Sequence, residues 1–118
     1  MAQKVVWFEI MGRNLGAMKE FYQKVLGLET RPMGEMPGYE EIQVEEGSLG
    51  GGLGVMEVEH PPYATVYFAV PEVTETLEKA EANGGQRVLE KTALPGGNGY
   101  FGIFLDPDGI VIGVFSEK

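Results

Sequence analysis

Val5-Val6-Trp7-Phe8-Glu9-Ile10 and Thr65-Val66-Tyr67-Phe68-Ala69-Val70 are two short runs rich in β-forming residues, and together they decide the fold. Each is followed by the same succession of signals. After the first, Asn14 stands as a helix N-cap, and Leu15, Met18, Phe21 (or Tyr22) and Val25 recur at helical spacing up to a stop at Gly27. After the second, Thr74 reads as the N-cap, Leu77 and Ala80 as the buried side, and Gly84-Gly85 as the stop. Trp7 and Thr65 take equivalent places 58 residues apart, and Gly27 and Gly85 repeat that offset.

Strands follow both helices. In the first half, Arg31 to Gly38 is a Pro/Gly-punctuated loop, and Tyr39 to Val44 alternates with Ile42 and Val44 on its buried side. Ser48 to Val58 carries four glycines around Leu49, Leu53 and Val55 and predicts a turn and then a glycine-rich strand. His60-Pro61-Pro62 interrupts the pattern. In the second half, strands are expected at Arg87 to Leu89, Gly99 to Leu105 and Ile110 to Phe115, with Asp106-Pro107-Asp108-Gly109 as a turn. The order β-α-β-β-β, written twice, predicts an α+β chain of two like modules, residues 1–60 and 61–118, in one domain.

Bulk composition narrows the function classes. The chain has 118 residues, a net charge of −9 and 43% hydrophobic residues, enough to fill one core. The negative charge argues against nucleic acid or an anionic membrane as partner. No cysteine is present, which excludes disulfides and thiolate–zinc sites and fits a cytoplasmic location. The start, Met-Ala-Gln-Lys, lacks the apolar run of a signal peptide, and no apolar stretch approaches the length of a membrane span. With His60 as the single histidine, a metal site needs oxygen ligands.

Several further segments carry a family resemblance. They are Phe21-Tyr22-Gln23-Lys24-Val25-Leu26-Gly27-Leu28, Val66-Tyr67-Phe68-Ala69-Val70-Pro71-Glu72-Val73, Ala82-Asn83-Gly84-Gly85 and Phe104-Leu105-Asp106-Pro107-Asp108-Gly109. With the opening strand, and in this order, they resemble the vicinal oxygen chelate superfamily of glyoxalases, bleomycin-resistance proteins and extradiol dioxygenases. The chain looks closest to the small lactoylglutathione lyase-related proteins. The resemblance implies paired βαβββ modules forming a cupped mixed sheet with helices outside, a divalent metal in the active members, and a homodimer.

Matched residue by residue, the metal positions this resemblance implies fall on Trp7, Thr65 and Gly113, with the fourth in the glycine run Gly51 to Gly54. Indole and glycine offer no lone pair from a side chain, and threonine offers a hydroxyl at best. The usual quartet is therefore expected to be missing and no cofactor is predicted. An irregular oxygen-rich metal site from Glu9, Glu41, Gln43 and His60 is the alternative.

Strand alternation sorts the remaining candidates. Val6, Phe8 and Ile10 point to the helix side, which puts Trp7, Glu9 and Met11 on the cup side. Thr65, Tyr67 and Ala69 share the corresponding face of the second module, and Glu41 and Gln43 lie opposite Ile42 and Val44. Glu9 is the candidate general base, its pKa expected to rise beside Trp7 and Met11. Trp7, Met11, Gln43, Thr65, Tyr67 and Phe115 are the candidate ligand-binding residues, suited to a small apolar or aromatic molecule. Leu94 to Gly99 lacks the Lys-Ser/Thr of a phosphate loop and reads as a β-connection. Three functions fit: a metal-free small-molecule-binding protein, an enzyme of lyase, isomerase or dioxygenase type using Glu9 or an irregular metal site, and a non-catalytic dimeric interaction domain.

Overall fold

A computed structural model describes residues 3–56 and 60–118. Val58, the expected end of the glycine-rich strand, lies outside the described residues. The elements run β1 (Val5–Gly12), α1 (Leu15–Leu26), β2 (Thr30–Pro32), β3 (Tyr39–Ile42), β4 (Gly51–Val55), then β5 (Tyr63–Ala69), α2 (Val73–Ala82), β6 (Gln86–Ala93), β7 (Tyr100–Leu105) and β8 (Val111–Ser116). The fold is α+β, with βαβββ written twice. The chain divides into two compact units, one of Trp7–Ala64 and one of Met1–Val6 with Thr65–Lys118. They are called the first and second units below.

In the first unit the strands lie in the order β2-β3-β4-β1. β1 and β4 pair in parallel, with Glu9 opposite Gly52 and Met11 opposite Gly54. β3 runs antiparallel to β4, and β2 antiparallel to β3. Helix α1 starts where the Asn14 side chain accepts the Ala17 N–H at 2.9 Å. It stops at Gly27, whose φ of 69° lets its N–H reach the Gln23 carbonyl while Leu28 N–H reaches Tyr22. This left-handed stop favours glycine because it carries no Cβ. Ile42 and Leu53 are buried, but no residue of α1 is.

The helical alternative at Phe21 or Tyr22 resolves to Tyr22. Leu15, Met18 and Tyr22 are half-buried, while Phe21 and Val25 are 56% and 59% exposed. The expected buried role of Val44 is also corrected. β3 ends at Ile42, and Val44 lies beyond it, exposed. Within the segment read as a loop, Thr30–Pro32 forms a short edge strand, a place where the missing proline N–H is tolerated.

In the second unit the order is β5-β8-β7-β6, with β5 and β8 parallel and the other pairs antiparallel. Val73 and Leu77 of α2 are fully buried against Val114 of β8, with Val70, Tyr100 and Phe104 around them. Burying a side chain of this size stabilises by about 1.5–3 kcal/mol. The N-cap is Glu72 rather than Thr74. Its extended backbone lets the carboxylate accept the N–H groups of Thr74 (2.8 Å) and Glu75 (3.1 Å). β6 is much longer than expected, because a polar strand at the edge of the order needs alternation on one face only. The Asp106–Gly109 turn forms as read: Asp106 Oδ1 accepts the N–H groups of Asp108 and Ile110, both at 2.9 Å. Among the described residues, no helix is long and apolar enough to cross a membrane.

Candidate functional site

The glycine run of β4 is a bed for aromatic rings. A Cβ at Gly51 would meet the ring of Phe8 on one face. On the other, a Cβ at Gly52 would overlap the Tyr39 hydroxyl, and one at Gly54 would come within 2.6 Å of Tyr39 Cδ2. Tyr39 begins β3 opposite Gly54, so its ring lies along β4 from Gly54 to Gly52. Gly52 is paired with Glu9. The register therefore delivers a phenol from β3 to a carboxylate on β1, across a strand stripped of side chains. Trp7 joins from the same strand as Glu9, its ring 3.0 Å from where a Gly50 Cβ would stand.

These groups form a hydrogen-bonded chain. Trp7 Nε1 donates to the Tyr39 hydroxyl at 2.8 Å, and the Tyr39 hydroxyl donates to the Glu9 carboxylate. Glu9 is only 7% exposed, and a carboxylate that buried needs such donors. Burial, the charge of Glu9 and the hydrogen bond to it push the Tyr39 phenol far above its ordinary pKa, against the opposing effect of the Trp7 N–H. Tyr63 is pushed up to about 12, first by burial and then by the charge of Glu9. Both phenols stay protonated at neutral pH. Tyr63 meets His60 edge to face at 5.4 Å, and the His60 ring nitrogen Nδ1 lies 2.8 Å from the Pro61 carbonyl.

Tyr39 also borders a cavity of about 410 Å³ lined by Pro32 and the β2–β3 loop from Gly34 to Glu40. Volumes of this order hold small ligands. Its lining includes Glu35 and Glu40. Glu40 accepts from Thr30 Oγ1 (2.7 Å) and pairs with Lys19 (3.1 Å). The Thr30 hydroxyl, then the Lys19 ammonium, hold its carboxyl below the usual range despite some burial.

The sequence-predicted residues separate. Trp7 and Glu9 are joined through Tyr39, and Met11 lies beside them, its sulfur 3.3 Å from where a Gly54 Cβ would stand. Gln43 is not part of this group. Its side-chain oxygen accepts from Arg31, which also pairs with Glu41 at 3.8 Å. In the second unit Thr65 Oγ1 donates to the Val111 carbonyl at 2.6 Å. There the Tyr67 ring lies on Gly113, 6.3 Å from Phe101, and Phe115 packs against Gly99. Tyr39, Tyr63 and Phe101 were not among the expected site residues. A signal for Tyr39 was present: the alternation that groups Glu41 with Gln43 places Tyr39 on the same face.

The metal positions implied by the family resemblance can be tested on these contacts. Trp7 offers an N–H that already donates to Tyr39, and the Thr65 hydroxyl donates to a backbone carbonyl. Gly52 and Gly113 have tyrosine rings where a ligand side chain would project. These positions supply neither the imidazole nor the carboxylate that the resemblance implies there. Among the described residues, no group of three or more His, Cys, Asp or Glu side chains is placed to share a metal.

Comparison with known proteins gives a consistent picture. Residues 4–114 match the family model described as Glyoxalase/Bleomycin resistance protein/Dioxygenase superfamily. The chain is 30% identical over 112 residues to “Putative glyoxylase CFP32” of Mycobacterium bovis; the match takes in 93% of this chain but 42% of that protein, so the chain spans well under half of that relative. It is 29% identical over 111 residues to the lactoylglutathione lyase of Escherichia coli O157:H7, covering 84% of this chain and 82% of the lyase. Among solved structures, the Mn(II)-bound glyoxalase from Novosphingobium aromaticivorans superposes with a TM-score of 0.62 at 21% identity, over 98% of this chain and 40% of that one.

Proposed function

The chain belongs to the glyoxalase/bleomycin resistance protein/dioxygenase superfamily, and from that premise we propose that it binds a small apolar or aromatic molecule without a divalent metal. The observation that carries this reading is the Trp7–Tyr39–Glu9 chain laid over Gly52 and Gly54. Aromatic faces and one oriented carboxylate are what a small-molecule site needs: area for contact and a polar group for orientation. The family resemblance supports a homodimer as the working form, which sedimentation measurements test. The absence of cysteine supports a cytoplasmic setting.

Metal analysis of purified protein and a thermal-shift screen test the proposal together. A ligand at 100 times its Kd raises stability by about 2.7 kcal/mol, a clear rise in Tm. Stoichiometric bound metal with Glu9 among its ligands would overturn the metal-free reading.

A second reading is favoured by the burial of the Glu9 carboxylate and by the name of the lyase relative: an enzyme in which Glu9 takes a proton from bound substrate. On that reading Glu9→Gln lowers turnover by about 100-fold or more while leaving ligand affinity in place. Unchanged turnover in that variant excludes it.

A further inference from the structure

We infer that a second copy of this chain covers helix α1, the two helices packing antiparallel about a twofold axis near Tyr22. This goes beyond the small-molecule reading and gives the homodimer an interface. The starting observation is the outward stripe Ala17, Phe21 and Val25, spaced four residues apart along α1 and all exposed, with Leu26 exposed at its C-terminal end. The repeat itself does not require this stripe. The 58-residue offset carries Ala17 and Phe21 onto Glu75 and Lys79 of α2, and Val25 onto its C-cap Asn83, all exposed and all polar. One helix of the pair has a polar outer face. The other has an apolar one, which marks a surface that something covers.

The charges beside the stripe point to a second copy as the occupant. Glu20 and Lys24 form the neighbouring row on one flank, 65% and 68% exposed and paired with each other at 2.6 Å. A carboxylate accepts, and an ammonium donates, more than one hydrogen bond, so each has capacity for a further partner. Twofold packing of antiparallel helices sets a flank against the same flank of the other copy. With the axis at the level of Tyr22, Glu20 and Lys24 lie equally far to either side, so each Lys24 meets the partner's Glu20. Parallel packing would instead set this row against the flank carrying Met18 and Tyr22, which is half-buried within the chain. Repulsion between acidic copies is also small here. α1 holds Lys19, Glu20 and Lys24, a net charge of +1 on a chain of −9, whereas α2, with Glu75, Glu78, Lys79 and Glu81, carries −2. An interface centred on Phe21 and Val25 of a 12-residue helix is smaller than the standard of about 800 Å² per partner. The expected dimer therefore dissociates in about the micromolar range.

Sedimentation velocity over about 1 to 100 μM protein is the test. The natural chain is expected to pass from monomer to dimer over that range. Phe21→Ser, nearly silent in the isolated chain, should weaken dimerisation at least about tenfold, while Lys79→Ser at the matched place on α2 leaves it unchanged. Charge reversal tests the antiparallel arrangement. Glu20→Lys and Lys24→Glu should each dimerise about tenfold more weakly than the natural chain at low salt. An equimolar mixture of the two variants should recover the natural affinity, because every pair across the axis is then of opposite charge. Both positions are exposed, and circular dichroism checks that the variants fold. A dimer that Phe21→Ser leaves intact overturns the assignment and leaves the homodimer standing on another surface. A mixture no tighter than its components overturns the antiparallel pairing of Lys24 with the partner's Glu20. A monomer at every concentration overturns both the assignment and the homodimer, and leaves the small-molecule reading to its own thermal-shift screen.

Discussion

Helix α2 buries Val73 and Leu77 completely, whereas α1 buries none of its residues and leaves Phe21, Val25 and Leu26 more than half exposed. The 58-residue offset shows where the two diverge. It carries Val73 onto Leu15, which is half-buried, and Leu77 onto Lys19, whose ammonium pairs with Glu40. The β-strands repeat the contrast. Glu9 faces Gly52 across a parallel pair, and Tyr67 faces Gly113 across the equivalent pair. Both glycines support a tyrosine ring, but in the second unit the tyrosine comes from the paired strand itself. In the first unit that position is a carboxylate, and the ring is supplied by Tyr39 from β3. One repeat has therefore closed around an apolar helix face, while the other has admitted charge on its helix and a carboxylate on its sheet.

The contrast breaks most visibly at Leu77. Leu77→Ala leaves a cavity beside Val73 and Val114 and should lower unfolding free energy by about 2–5 kcal/mol, read from urea denaturation. The matched change Lys19→Ala should cost no more than about 1 kcal/mol, because its ion pair is partly exposed. Equal losses at the two positions would mean that α1 is held as firmly as α2, and the contrast would fail.

The glycine beds give the next effect. Gly52→Ala and Gly113→Ala each force a Cβ into a tyrosine ring, with an overpacking cost of about 1–3 kcal/mol. Only Gly52→Ala should also shift Trp7 emission, because it displaces the hydroxyl that accepts the indole N–H. Tyr39→Phe separates the two contributions. It keeps the ring on the glycines but removes the hydroxyl from both Trp7 and Glu9, at about 1–3 kcal/mol. A Tyr39→Phe protein with unchanged stability and emission would show that the hydrogen-bonded chain does not hold the site together.

How much of this could be read in advance depends on range. The duplication was legible because it rests on local signals: β-formers in Val5 to Ile10 and Thr65 to Val70, the cap at Asn14 and the stop at Gly27. The pairing of Trp7 with Glu9 on one face followed from alternation. The role of Tyr39 was not read, because it depends on which residue of β4 lies opposite, and register across strands is not local. The glycine run by itself reads as a turn and an empty metal position, because the ring lying on it comes from another strand. Hydroxyl residues are preferred N-caps, which points to Thr74 for α2, yet Glu72 takes the position. Phe21 and Val25 followed helical periodicity faithfully, but periodicity records a possible face, not whether anything covers it.

Glu72 sharpens the comparison at the helix starts. α1 is capped by neutral Asn14, α2 by a carboxylate that also accepts from Lys91 at 2.9 Å. The Lys91 ammonium, and then the backbone N–H of Thr74, lower the Glu72 pKa from 4.5 to about 2. A depressed folded-state value stabilises fully above the unfolded value and is lost as pH falls through the folded one. Stability from this cap is therefore present above about pH 4.5 and disappears as pH falls through about 2. Lys91→Met should lower stability at pH 6 and narrow that window, so the difference from the natural chain shrinks as pH drops below 4.5. A constant difference down to pH 2 would place the effect of Lys91 in its contact with the Tyr100 ring, 4.6 Å away, instead of in the cap.

The smallest effect is expected on the uncovered face of α1. Phe21 packs edge to face on Tyr22, with ring centroids 5.2 Å apart, and is 56% exposed. Phe21→Ser removes little buried area, so the isolated chain should change by no more than about 0.5 kcal/mol. The position still discriminates, because exposed aromatic residues cost the folded chain little and gain value only when something covers them. Denaturation measured at two protein concentrations separates the cases. A loss near zero at both concentrations keeps α1 as the open helix of the pair. A loss that grows with concentration would mean that α1 is buried by self-association, and the two helices would then differ in what covers them rather than in whether they are covered.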